Sequence, residues 1–139
     1  MIDEGDKALR HKTAWRHFQA GELKQAWSLS AAANKDSPDF APGWDLSSRI
    51  ALAAGNKPTA LQLADRSLQL APDRFSYLSQ RAYCLHALQR TGEARDLTAS
   101  LAERSLEHAA EYDTLGNLYS LGKDQCAAES CFRKAVELE

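Results

Sequence analysis

Apolar residues recur along this chain at helical spacing, in runs short enough to be single helices. Leu46, Ile50 and Ala54 are four apart, and Leu61, Ala64 and Leu68 follow at steps of three and four. Steps of that size place side chains on one face of an α-helix. Gly55-Asn56 interrupts the pattern, and Pro58 just beyond suits a first helical turn. Ala71-Pro72-Asp73 closes the second run. No segment between these breaks reads as a strand, and the connections are short.

The pattern repeats every 34 residues. Ala26, Ala60, Ala94 and Ala128 share one register. With units counted from Lys7, Ala41, Phe75 and Ala109, the eighth position holds Ala14, Ser48, Ala82 and Gly116, always small. The twenty-seventh holds Ala33, Ser67, Leu101 and Ala135. Trp44 and Tyr112 stand at the fourth position, Gly21 and Gly55 at the fifteenth, and Pro38 and Pro72 share a further offset. Two antiparallel helices approach to about 8–10 Å only where their contact residues lack bulk. The small residues are therefore read as packing positions.

The last unit carries the strongest signature: Tyr112, Leu115-Gly116, Tyr119, Ala128, Phe132 and Ala135. The second adds Trp44, Gly55, Ala60 and Pro72. In these residues the chain resembles the tetratricopeptide-repeat (TPR) family, whose unit is a 34-residue helix–turn–helix. The first and third units depart from the family pattern. His17 stands where Tyr is usual, Ser30 and Thr98 where Phe is usual, and Gln89 at a turn glycine. The resemblance implies an all-α, right-handed α-solenoid of four TPR units at about 7–40, 41–74, 75–108 and 109–139, after an N-terminal extension of residues 1–6. Eight helices are expected, with turns near Gly21, Gly55, Gln89 and Gly122.

Composition narrows the function. Of 139 residues, 44% are hydrophobic and 26% charged, a globular balance. Seventeen Lys and Arg against nineteen Asp and Glu leave a net charge of -2, without the basic surface that nucleic acid rewards. No apolar run reaches the roughly 18 residues of a membrane helix. The opening Met1-Ile2-Asp3-Glu4-Gly5-Asp6 is too acidic for a secretory signal. Cys84, Cys126 and Cys131 are too few and too odd for a disulfide framework. A cytoplasmic location is the expectation.

Chemistry is sparse. His11 and His17 are six apart, on different helix faces; there is no HExxH, no CxxC and no phosphate-binding glycine loop. No metal site, cofactor or catalytic residue is expected. Cys84 and Cys131 fall at inward-facing positions.

What remains is a surface. The family likeness implies that first helices line a concave face through their second, fifth, ninth, twelfth and thirteenth positions. In this chain those positions supply His11, Trp15, Phe18, Asp45, Arg49, Leu52, Ser79, Tyr83, His86, Asp113, Asn117 and Ser120. Aromatic residues beside an arginine are the composition of binding hot spots. Each ring could instead pack on a neighbouring helix, and Arg49 could pair with Asp45 four residues earlier. Some TPR proteins capture a chaperone's C-terminal carboxylate with Lys, Asn and Arg on successive first helices. Here only Arg49 and Asn117 suit such a clamp, and Asp45 and Asp113 oppose it, so chaperone-tail capture is not expected.

The expected function is thus a protein-interaction scaffold holding a peptide segment in its groove. Two alternatives stand beside it. The first is an N-terminal TPR segment of a larger bacterial enzyme with its catalytic domain downstream, since the wording of the last unit is loosely similar to the TPR region that precedes some bacterial sulfotransferase domains. A small TPR secretion-type chaperone is also compatible. Phe132 and Ala135 should pack inward on Leu115 and Tyr119, while Cys131, Val136 and Leu138 would normally meet a following helix. That face is expected to be covered by more chain, to fray, or to support weak self-association.

Overall fold

A computed structural model describes residues 4–139. It contains eight helices in chain order: α1 (Glu4–Gln19), α2 (Leu23–Asp36), α3 (Ala41–Ala53), α4 (Lys57–Leu70), α5 (Phe75–Ala87), α6 (Thr91–Ala102), α7 (Ala109–Leu121) and α8 (Gln125–Leu138). No strand occurs among the described residues. The first helix begins at Glu4, ahead of Lys7; Met1, Ile2 and Asp3 lie outside the described residues.

Turns of three residues separate α1 from α2, α3 from α4, α5 from α6 and α7 from α8. Each passes through the left-handed region at the fifteenth position: Gly21 (φ 79°), Gly55 (φ 86°), Gln89 (φ 65°) and Lys123 (φ 64°). Glycine occupies that conformation freely, whereas a side chain there is disfavoured. The backbone of Gln89 and Lys123 therefore follows the register even where the sequence lacks its glycine.

The chain divides into two compact units, Met1–Tyr77 and Leu78–Glu139. In the first, α1 packs on α2, α2 on α3 and α3 on α4. Its core joins Ala14, Ala26, Leu46 and Ile50, with Trp15, Phe18 and Leu23 packed against it. Ala60 is fully buried, and Ser48 Oγ donates to its carbonyl at 2.7 Å. In the second unit, α6 packs on α7 and α7 on α8. Leu101, Leu115, Leu118, Ala128 and Ala135 are buried there. Phe132 lies over Gly116, where an added Cβ would come within 2.5 Å of the ring.

The rings at the fourth position have a shared task. Trp44 Nε1 donates to the Pro38 carbonyl at 2.8 Å, and Tyr112 Oη donates to the Leu106 carbonyl at 3.4 Å. Each ties its helix to the loop that leads into it, satisfying a carbonyl beyond the reach of the helical ladder.

Candidate functional site

The first unit brings four of the expected residues together. His11 and Trp15 stand one turn apart on α1, their rings roughly parallel with centroids 6.4 Å apart. On α3, Asp45 and Arg49 are also one turn apart, and Arg49 Nε donates to Asp45 Oδ2 at 3.0 Å. The local pair expected from spacing therefore forms. With Lys12 and Pro42 these residues line an open hollow of about 490 Å3. The Phe40 ring meets His11 edge-on at 5.7 Å.

Electrostatics set this hollow apart from an ordinary surface. Asp45 is 8% exposed, and its Oδ1 has no hydrogen-bond partner among the described residues. Burial raises the Asp45 pKa, while Arg49, His11 and Arg74 pull it back down. Burial lowers the His11 pKa, opposed by the Asp45 charge, and His11 Nδ1 also has no described partner. A buried carboxylate tolerates this only beside cations. Arg74 also lies over the Tyr77 ring, 5.6 Å from its centroid. Burial pushes the Tyr77 hydroxyl pKa up.

The remaining candidates separate. Phe18 packs on Trp15, with centroids 5.5 Å apart, and both rings rest against the core. Trp15 thus serves packing and the hollow at once. Leu52 is half-buried and does not line the hollow. Tyr83, His86, Asp113 and Asn117 belong to the second compact unit. There His86 lies near Arg95 and Gly122. Arg95 donates through both Nε and Nη2 to the Gly122 carbonyl. Burial lowers the His86 pKa, helped by the Arg95 charge. Tyr83 is half-buried, and Asp113 and Asn117 are exposed on α7.

Sequence reasoning missed Lys12, Pro42 and Arg74. Pro42 occupies the second position, which the family likeness does place on this face. Lys12 stands at a sixth position, where the next unit has the buried Leu46. Arg74 lies in a connecting loop, outside the positions expected to face a groove. Among the described residues no group of three or more His, Cys, Asp or Glu could hold a metal ion. No described helix is long and apolar enough to cross a membrane.

The helix–turn–helix pattern is that of known repeat proteins. MamA from Desulfovibrio magneticus superposes with a TM-score of 0.71 at 19% identity, covering 99% of this chain and 78% of its own. PilF of Pseudomonas aeruginosa gives 0.69 at 16% identity, over 98% of this chain and 62% of its own. The first TPR domain of Spaghetti (RPAP3), solved with the HSP90 peptide SRMEEVD, gives 0.64 at 14% identity, over 98% and 94%. The protein is thus an all-α helical repeat with the fold of the TPR proteins. No family model matches the sequence, and no curated protein sequence matches it.

Proposed function

We propose that the chain is a protein-interaction module whose first-helix side chains hold a peptide segment, with the hollow between α1 and α3 as an anchoring site. The supporting observation is the grouping of Trp15 and His11 with Lys12 and Arg49 around a buried carboxylate. Asp45 fixes Arg49 through one oxygen, so the guanidinium is held in place before a partner arrives. Two cations, Lys12 and Arg49, line the hollow with the single carboxylate of Asp45, and the Arg74 charge also acts on that carboxylate. The hollow therefore suits a peptide with an acidic group next to an apolar one. Tyr83, His86, Asp113 and Asn117 are proposed as a separate set of partner contacts. Phe18 and Leu52 support the faces on which contacts lie. The module itself performs no catalysis in this reading.

The test is to pan a displayed peptide library against the chain and measure the retained peptides by fluorescence anisotropy. Affinities on the order of micromolar, about -8 kcal/mol, are expected. Trp15→Ala and Lys12→Glu should each weaken binding about tenfold, near 1.4 kcal/mol. Arg49→Glu should do the same or more. If all three bind within twofold of the parent while remaining helical, the hollow is not the site.

A further inference from the structure

We propose that a second copy of this chain docks on the first, the outer face of α8 of one copy seating on the outer face of α1 of the other. The contact within the first unit supplies the template. There α3 packs on α2, and the third position of one unit meets the twenty-eighth of the unit before it: a Cβ on Gly43 would lie 2.5 Å from Asn34 Oδ1. The tenth position meets the twenty-first. Ile50 lines a hollow with Trp27, and in the second unit Leu118 lines one with Arg95.

The first and last helices present the same positions to solvent. On α1 the third position is Leu9, 62% exposed; on α8 the twenty-eighth is Val136, 69% exposed. They are the two most exposed large apolar residues of the described chain, and they occupy the two positions that meet inside the repeat. The charges match as well. The tenth position of α1 is Arg16 and the twenty-first of α8 is Glu129, both exposed. Where other units bury an apolar side chain at the tenth position, the first carries a cation, and its counterpart on α8 is a carboxylate. Arg133 lies one turn beyond Glu129, between it and Glu137, so that stripe of α8 stays net acidic. An acidic stripe disfavours α8 pairing with another α8 and favours the basic end of α1.

Such a contact joins different surfaces on the two copies, so each pair leaves one α1 face and one α8 face unused, and association grows with concentration. One helix seated on another helix's outer face is a small interface, which places the association in the weak class. It is independent of the peptide-binding reading, since Arg16, Glu129, Leu9 and Val136 do not line the α1–α3 hollow.

Sedimentation velocity of the full chain from about 10 μM to 1 mM is the experiment, with circular dichroism confirming that each variant keeps its helices. The parent should show a weight-average sedimentation coefficient that rises with concentration, less so at high salt. Arg16→Glu and Glu129→Arg should each abolish the rise. The double variant carrying both changes should restore it, as should an equimolar mixture of the two single variants. Leu9→Lys and Val136→Lys should each weaken association at least fivefold. A parent that stays monomeric up to 1 mM would overturn the proposal. So would association left undiminished by Leu9→Lys, which would indicate α8 pairing with itself, or a failure of the charge-swapped double variant to associate.

Discussion

The first and last repeats solve one packing problem with opposite chemistry. Where the two helices of a unit approach, the eighth position faces the twenty-fourth. In the last unit the pair is Gly116 and Phe132, and the ring fills the space that a Cβ would need. In the first unit it is Ala14 and Ser30, both buried. A serine leaves the ring's volume unfilled and brings a hydroxyl into the core. The structure answers with Ser47 and Asn34. Ser30 Oγ hydrogen-bonds Ser47 Oγ, and Asn34 Nδ2 donates to the same Ser47 oxygen at 2.7 Å. The middle units use a third solution. The same two positions hold Ser48 and Ala64, then Ala82 and Thr98, all buried, and the Thr98 hydroxyl donates to the Ala94 carbonyl at 2.8 Å. Glycine appears at the eighth position only where the twenty-fourth is aromatic. Degeneracy at one position of the repeat is therefore compensated at its partners, and in the first unit one partner, Ser47, lies on the neighbouring unit's helix.

The sharpest way to break this comparison is at Ser47. Ser47→Ala removes the group that both Ser30 and Asn34 use, leaving two buried polar side chains short of a partner. A buried unsatisfied group costs roughly 1–3 kcal/mol, so the variant should lose about 2–4 kcal/mol in urea melts. The apolar triple variant Ser30→Ala, Asn34→Leu, Ser47→Ala should recover much of that loss, because no polar group is then stranded. If Ser47→Ala melts like the parent, the hydroxyl cluster is incidental.

That cluster also marks where the sequence stopped being readable. The 34-residue alanine register located all eight helices and the four turns, because small residues at close contacts leave a periodic trace. Ser30 registered only as a departure from the usual Phe. Its compensation depends on Asn34, four residues on, and on Ser47 of α3, polar side chains at positions where the repeat pattern prescribes no residue type. The α1–α3 hollow was partly legible, since His11, Trp15, Asp45 and Arg49 follow from the face of the first helices. Arg74 was not, because loop residues carry no helical phase. The second unit's candidates were assigned by the same phase rule, but side chains such as Asp113 and Asn117 have no packing partner that periodicity could reveal.

The next effect probes the other side of the comparison. Gly116→Ala gains about 0.5–1 kcal/mol of helix propensity. It also drives a methyl into Phe132, and overpacking costs typically 1–3 kcal/mol. The net expectation is a loss of about 1–2 kcal/mol, measured by thermal or urea unfolding. Combining it with Phe132→Leu should give less than the sum of the two single losses, since each change relieves the other. Additive losses would mean that the ring and the glycine are not coupled.

The turns offer a smaller, opposite effect. The fifteenth position is left-handed in all four units, yet only the first two have glycine. A non-glycine residue there pays roughly 1–2 kcal/mol, and glycine's greater freedom in the unfolded chain returns part of the difference. Gln89→Gly and Lys123→Gly should therefore each stabilise by about 0.5–1 kcal/mol, whereas Gly55→Ala should destabilise by about 1 kcal/mol. A scan in which Gln89→Gly and Lys123→Gly both lower the melting temperature would show that their side chains make contacts worth more than the backbone strain.

The smallest expected effect is on pH, and it compares the two compact units through one half-buried histidine in each. Burial lowers the pKa of His11, with Asp45 opposing, and lowers that of His86, with Arg95 assisting. Between those depressed values and the ordinary 6.5, the unfolded chain binds protons that the folded one refuses. Stability is then complete above about pH 6.5 and falls as the pH drops through the depressed values. Asp45 works with the opposite sign. Its raised pKa lets the folded chain take up a proton ahead of the unfolded one, so the acid loss is partly offset in the first unit and not by this group in the second. Melts of the parent between pH 8 and pH 5 should show a modest fall. His86→Gln should flatten the profile more than His11→Gln, because the Asp45 charge opposes the fall of the His11 pKa whereas the Arg95 charge adds to that of His86. If His11→Gln flattens the profile as much or more, the Asp45 charge does not hold up the His11 pKa.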